Sequence, residues 1–471
     1  MIGSLDIAII CIYLLAVLAF GWMFYRKQTD ASSFTRGNGR LPVWALSLSV
    51  FATFVSSISF LALPGNAFAK DWSSFVFSLS IPITAFLAVR FFVPLYRKIN
   101  SDSAYAFLEE RFGRWARIYA SVCYLLTQLA RMGAILYLLA LPVNSLTGLG
   151  LEQIIVITGL LVLLYSTLGG IEAVVYTDAI QGILLISGAF LCLYFILSKI
   201  DGGFGGMWQE ALQNHKLSLG SFAFDWKSSS FWLILFYGFF INLQNFGADQ
   251  SYIQRYMSAK SVKDAQKTVW LGGLLYVPVS LLFFLIGTAL WVYYFQNPLP
   301  EAIPADQVFP HFISTELPVG IKGLLIAAIL SAGMSTLSTS VNSSATVLLT
   351  DIFKIETANS LRFLRTASAI MAACSIVAAL LFLGVDSALD VWWALASIFS
   401  GGILGLFLLG LLVKKSAAKL AVSIGLVFVL WTSLSQMFPE SPWAFTLHPN
   451  FVIIIGTTLI FAVGWLLRKK D

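Results

Sequence analysis

The sequence predicts an all-α polytopic membrane protein with about thirteen transmembrane helices. Three observations predict it. Of 471 residues, 58% are hydrophobic and 11% charged, where soluble proteins average about 25% charged. The mean hydropathy is +0.85. That apolar excess falls into runs long enough to cross a bilayer, which takes roughly 20 residues each. The basic residues, which give a net charge of +6, gather in short clusters between runs. That is a topology signal, not a phosphate-binding face, so nucleic acid is not an expected partner.

The runs lie at about 5–25, 43–63, 72–95, 116–147, 153–169, 174–199, 231–253, 267–295, 320–351, 363–384, 388–413, 417–437 and 450–468. The first ends in Arg26–Lys27 and lacks a small-residue cleavage site. It is longer than a signal-peptide core and reads as a retained span. The run at 116–147 is long enough to tilt or to extend beyond the bilayer.

Alternate loops divide the basic residues unequally. One set carries Arg26, Lys27, Arg36 and Arg40, then Arg97, Lys98, Arg111, Arg114 and Arg117, then Arg255, Lys260, Lys263 and Lys267. It continues through Lys354, Arg362 and Arg365, Lys414, Lys415 and Lys419, and Arg468, Lys469 and Lys470. The opposite set has only Lys70, Lys199, Lys216, Lys227 and Lys322. The richer side is expected to be cytoplasmic, which puts the C-terminus inside and, with an odd number of spans, the N-terminus outside. Arg90 and Arg131 fall inside spans.

Cys11, Cys123, Cys192 and Cys374 all lie in apolar segments. A lone apolar cysteine is ordinary packing, so no disulfide or metal framework is indicated. His215, His311 and His448 are scattered through loops. There is no nucleophile–His–acid set, metal cluster or phosphate-cradling glycine loop, so an enzyme is not expected.

Two spans look interrupted. The second carries 51-FATFVSSISFLALPG-65, with Thr53, Ser56, Ser57 and Ser59 at bilayer depth and Pro64–Gly65 beyond. The seventh carries 242-NLQNFGADQ-250. Paired broken spans at matching places in two halves point to an inverted-repeat secondary transporter. Unwound backbone is tolerated at that depth only where it lines a cavity or is buried in protein. Helix–helix packing through Ser and Asn is the alternative for either cluster alone.

The ninth span contains 331-SAGMSTLSTSVNSS-344. Ser335, Ser338 and Thr339 share one helix face, and the Ala332 carbonyl lies a turn before Ser335 and Thr336. Hydroxyls and freed carbonyls suit a hard monovalent cation; a small-residue packing seam is the alternative. Asp178 lies deeper than Glu172 in 165-YSTLGGIEAVVYTDAIQG-182. A buried acid at that depth needs a partner, either a cation or hydrogen-bond donors. Arg131 is too deep to reach either interface comfortably. It suits a bidentate solute carboxylate or an internal salt bridge to Asp178 or Asp249.

These segments, with 253-IQRYMSAKSVKDAQK-267 and 326-IAAILSAGMSTLSTSVNSSATVLLTDI-352, resemble the sodium/solute symporter family across nearly the whole chain. The resemblance is greatest to its bacterial sodium/sialic-acid symporters. It implies a LeuT-type fold with a 5+5 inverted repeat. An extra span at 5–25 would precede repeat one (about 43–199) and repeat two (about 231–413), with extra C-terminal spans at about 417–468. It implies a first sodium site from the carbonyls of Ala52, Val55 and Ala332 and the hydroxyls of Ser335 and Thr336. A second, found in some members, would use Asp178, Ser335, Ser338 and Thr339. Arg131 matches the arginine that holds the sialic-acid carboxylate, and Ser56 and Ser59 match substrate-contacting hydroxyls. Phe54 stands where those transporters carry a hydroxyl, Ser78 where they carry a glutamine, and Ser74 replaces an aromatic. The solute pocket is therefore expected to differ in shape. The break in the seventh span is expected to offer Asn242, Gln244 and Asn245 from the opposite side.

The expected function is sodium-coupled import of a carboxylated sugar such as a sialic acid, with one or two Na+ per cycle. The alternative is symport of a neutral sugar or polyol with Arg131 structural. The expected setting is a bacterial inner membrane, with no obligate protein partner.

Overall fold

The computed structural model describes residues 3–25, 28–99, 101–298, 303–355, 359–384, 395–396, 402–413, 416–438 and 440–468. Helix follows helix along this chain, at nearly every position where an apolar run predicts one. The first span is Ser4–Tyr25, the third Ser73–Lys98 and the fourth Arg114–Thr147. The eighth is Val262–Gln296, the ninth Ile321–Phe353 and the tenth Ser360–Leu381. The twelfth is Ala418–Met437 and the thirteenth Phe451–Leu466. Of the eleventh, expected at 388–413, Ile403–Leu412 is helical; most of 388–401 lies outside the described residues.

The fifth and sixth spans form one helical run, Leu151–Leu197, of 47 residues. A straight helix of that length would be about 70 Å long, more than twice the hydrocarbon core. The run turns at Gly170, with φ 56° and ψ −163°, a conformation open only to glycine. A Cβ there would come within 2.7 Å of Gln28 Nε2 and 3.0 Å of Phe34. Two crossings therefore meet at Gly170.

The second span breaks where hydroxyl and β-branched residues crowd the chain. Helix Val43–Phe54 ends, Val55 and Ser56 are extended, and helix Ser57–Ala69 resumes. The two halves are bent by 53°. The seventh span runs unbroken through Asn242, Gln244 and Asn245 as Phe231–Ala248. Its interruption comes later, at Asp249, whose extended backbone starts helix Gln250–Ser258. Asp249 caps that helix by accepting from the Ser251 N–H at 2.7 Å. This corrects the expectation that the break itself presents the three amides.

The ninth span is the axis of the molecule, with almost every residue from Lys322 to Val347 buried. It packs against the first, second, fourth, sixth and tenth spans. Asp6 pins its start: the buried carboxylate accepts from the N–H groups of Gly320 (2.6 Å) and Gly323 (2.8 Å). These are orphan donors at a helix N-terminus, where negative charge is favourable.

The end of the molecule rich in basic loops is sealed by polar contacts. All nine residues of Gln250–Ser258 are buried. Gln254 donates to the Thr35 carbonyl (2.7 Å), Asn342 (2.9 Å) and Thr346 (3.1 Å). Gln250 accepts from the Ala104 N–H and donates to the Asp102 carbonyl. Buried Asp351 accepts from Ser103, Ser121 and Arg117, and Arg117 also pairs with Glu109 at 2.6 Å. Arg255, counted among loop cations in the sequence, belongs to this buried layer with no exposed surface.

Candidate functional site: a cation and anion site between two helix breaks

The break in the second span releases backbone acceptors. The Val55 N–H is the last to bond back into the first half, to Phe51 O at 3.2 Å. The carbonyls of Ala52, Thr53, Phe54 and Val55 are therefore helix-end acceptors without the usual partner. Across from them, Ala332, Ser335 and Thr336 are buried on the ninth span, which packs against this half-helix. Thr336 Oγ1 donates to the Ala332 carbonyl at 3.2 Å. All five groups expected at the first sodium site are uncharged oxygens. Among the described residues no cluster of His, Cys, Asp and Glu has the makings of a transition-metal site.

Asp178 is fully buried and crowded with donors. It accepts from Ser49 Oγ (2.6 Å), Ser335 Oγ (2.8 Å) and Thr339 Oγ1 (3.3 Å). Arg255 Nη2 makes an ion pair with it at 2.9 Å. Arg255 also donates to Ser49 (2.8 Å), Thr339 (2.6 Å) and the Ser251 carbonyl. Three of the four residues expected at a second sodium site thus come together, but around a guanidinium. Ser338 does not join them; its hydroxyl donates to the Ser335 carbonyl at 3.0 Å. The partner that Asp178 requires is Arg255, and Ser335 belongs to both clusters.

Arg131 lies between the two breaks. Tyr124, Gln128 and Arg131 recur at i, i+4 and i+7 on the fourth span and so share a face. Tyr124 Oη bonds Ser251 and Ser343, and Gln128 Nε2 reaches Asp249 Oδ2 at 3.5 Å. Arg131 Nη2 reaches the freed Thr53 carbonyl at 3.3 Å. Neither Asp178 nor Asp249 forms a salt bridge with it, and among the described residues it makes no ion pair. A half-buried guanidinium with one long hydrogen bond keeps most of its donors for another ligand.

Aromatic rings wall this region. Phe54 packs against Phe246 (5.1 Å), Tyr252 (4.8 Å) and Tyr276 (5.3 Å between centroids). Ser56 is buried beside the break, and half-buried Ser59 lies near the Tyr276 hydroxyl. Two other expected solute contacts are used between helices: Ser78 bonds Ser280 at 2.8 Å, and Asn242 donates to Ser80 at 2.9 Å. Gln244 Oε1 is buried with no partner, and Asn245 is half-buried. Sequence reading missed Tyr124, Gln128 and Arg255 in the site; the i, i+4, i+7 stripe ending at Arg131 was a usable signal for the first two.

The sodium:solute symporter family pattern matches residues 34–427. The chain belongs to this family. Among its relatives, the sodium/sialic acid symporter SiaT of Proteus mirabilis is 35% identical, over 98% of this chain and 94% of that one. The sodium/sialic acid symporter NanT of Aliivibrio fischeri is 32% identical, over 98% and 93%. Among solved structures, the substrate-bound outward-open state of a Na+-coupled sialic acid symporter matches with a TM-score of 0.93 at 32% identity, covering 98% of this chain and 97% of that one. Mhp1, a nucleobase-cation-symport-1 family transporter, matches with a TM-score of 0.62 at 17% identity, over 92% and 94%, a likeness of fold alone. The expected LeuT-type fold is therefore the fold of this symporter.

Proposed function

We propose that this symporter imports a carboxylated sugar, a sialic acid or a close relative, driven by an inward sodium gradient. The observation that carries the reading is Arg131, a deep guanidinium without an acidic ion-pair partner among the described residues, held between the broken second and seventh spans. A bidentate carboxylate is the ligand such a group is built to hold. Sodium is assigned to the carbonyls of Ala52, Val55 and Ala332 with the hydroxyls of Ser335 and Thr336. It ties the second span to the ninth and stabilises the state that presents Ser56, Ser59 and Arg131 to the solute. Coupling follows because the ion binds one state better than the other. A second ion at Asp178, Ser335, Ser338 and Thr339 requires Arg255 to release the carboxylate. Repeat one is placed at about 43–199 and repeat two at about 231–413, with 5–25 and 417–468 outside them.

The protein is a multi-pass protein of the bacterial inner membrane, and we place its N-terminus outside and its C-terminus in the cytoplasm. A C-terminal green fluorescent protein fusion is expected to fluoresce and a C-terminal alkaline phosphatase fusion to be inactive; the reverse pattern would invert the topology.

Thermal unfolding of purified protein tests the solute class. A panel of sialic acids, uronates and neutral sugars is compared in sodium and in choline. A ligand at 100 times its Kd stabilises by about 2.7 kcal/mol. The acids are expected to stabilise only in sodium. Stabilisation by neutral sugars alone would make Arg131 a structural residue, satisfied by the Thr53 carbonyl.

A further inference from the structure

Opposite Arg131, at the break of the seventh span, stands a carboxylate that the assignments above leave without a role. Asp249 Oδ1 is used to cap helix Gln250–Ser258 through the Ser251 N–H at 2.7 Å. Among the described residues its Oδ2 is reached by Gln128 Nε2 at 3.5 Å, at the far edge of hydrogen-bond range. Gln128 is 1% exposed and its Oε1 has no partner. A buried amide oxygen without a donor is costly unless a ligand or water supplies one. Gln244 Oε1, five residues before Asp249 on the same span, is also buried without a donor among the described residues. Arg131 is the opposite charge that acts most strongly on Asp249, yet the two form no ion pair. The Arg131 guanidinium thus lies near poorly filled acceptors on Asp249 and Gln128. Tyr252, whose ring packs edge-on against Phe54 at 4.8 Å between centroids, lies beside both charges.

We propose that Asp249 is a specificity-determining residue: its Oδ2, with Gln128 beside it, accepts hydrogen bonds from hydroxyl or amide N–H groups of a solute whose carboxylate is held by Arg131. The inference rests on the carboxylate reading of Arg131 and goes beyond it. It defines the solute as an acid that carries hydrogen-bond donors at its other end. It also explains discrimination. A dicarboxylate would set its second anion against Asp249, and a short monocarboxylate without hydroxyls would leave the acceptors unfilled.

The test uses Asp249→Asn and Asp249→Ser in the full-length protein, with Arg131→Ala beside them. Asparagine and serine cap helices about as well as aspartate, so both variants keep the start of Gln250–Ser258. Solute affinity is read from thermal shift in sodium, with N-acetylneuraminate, propionate and a dicarboxylate, succinate, as probes. N-acetylneuraminate affinity is expected to fall at least tenfold in both Asp249 variants. Stabilisation by sodium alone should be unchanged, and the disadvantage of succinate relative to N-acetylneuraminate should narrow. Wild-type affinity in the Asp249 variants, with binding lost in Arg131→Ala, would overturn this inference alone. Wild-type affinity in Arg131→Ala would overturn the reading beneath it. Failure of both Asp249 variants to fold would make the residue structural and overturn the inference as well.

Discussion

Arg131→Ala abolishes solute-dependent stabilisation and uptake while sodium-dependent stabilisation survives. Truncating one member of a buried, hydrogen-bonded charge pair costs about 2–5 kcal/mol, a loss of roughly 30-fold to several thousandfold in affinity. The fold should tolerate the change, because Arg131 gives up one 3.3 Å bond to the Thr53 carbonyl and no ion pair. Arg131→Lys keeps the charge but not the planar fork, so its affinity should fall between the two. Binding isotherms in saturating sodium check the order. If Arg131→Ala instead unfolds the protein and leaves the affinity of the folded fraction intact, Arg131 is a structural residue and the solute is a neutral sugar or polyol.

The second large effect concerns Arg255. The Arg255–Asp178 pair is fully buried, with hydroxyls of Ser49, Ser335 and Thr339 around it. Removing one member of a buried pair leaves an uncompensated charge and costs about 3–5 kcal/mol. Arg255→Met is therefore expected to destabilise the protein severely in choline. Sodium should reverse much of that loss, because the exposed Asp178 carboxylate and its hydroxyls then form an anionic cation site. The double variant Arg255→Met with Asp178→Leu removes both charges; it should recover stability in choline and lose the extra response to sodium. Unfolding temperatures over a sodium titration measure this. An equal loss at every sodium concentration would make the pair a structural clasp of the basic end and contradict a second sodium site at Asp178. The distinction bears on energetics. A second Na+ per monoanionic solute moves one net charge inward, worth about 2.3 kcal/mol at 100 mV.

The spans were legible because each must present roughly 20 apolar residues to lipid, and that constraint is local. The break at Val55–Ser56 was legible for a related reason. Hydroxyl side chains compete for backbone hydrogen bonds, and such a cluster at bilayer depth marks a place where the helix is weak. The seventh span misled for want of tertiary information. Asn242 looks like a helix breaker, yet its amide bonds Ser80 across an interface and the helix continues. The break falls at Asp249, where a carboxylate can cap the next turn. Arg255 was hidden for the same reason. Gln250–Ser258 is polar enough to read as a loop, and its burial follows from partners as distant in sequence as Ser49, Asp178 and Thr339. Residues of the candidate site could be named singly from sequence. Which of them meet, and that a guanidinium sits among the expected sodium ligands, depends on non-local packing.

The central claim is coupled transport, and purified protein in sealed liposomes tests it most directly. Uptake of labelled N-acetylneuraminate is followed under an inward sodium gradient, with choline replacing sodium as the control. The account predicts saturable uptake that rises above the external concentration and collapses when the gradient is dissipated. Uptake that proceeds equally in choline, or that only equilibrates the solute across the membrane in sodium, would contradict it.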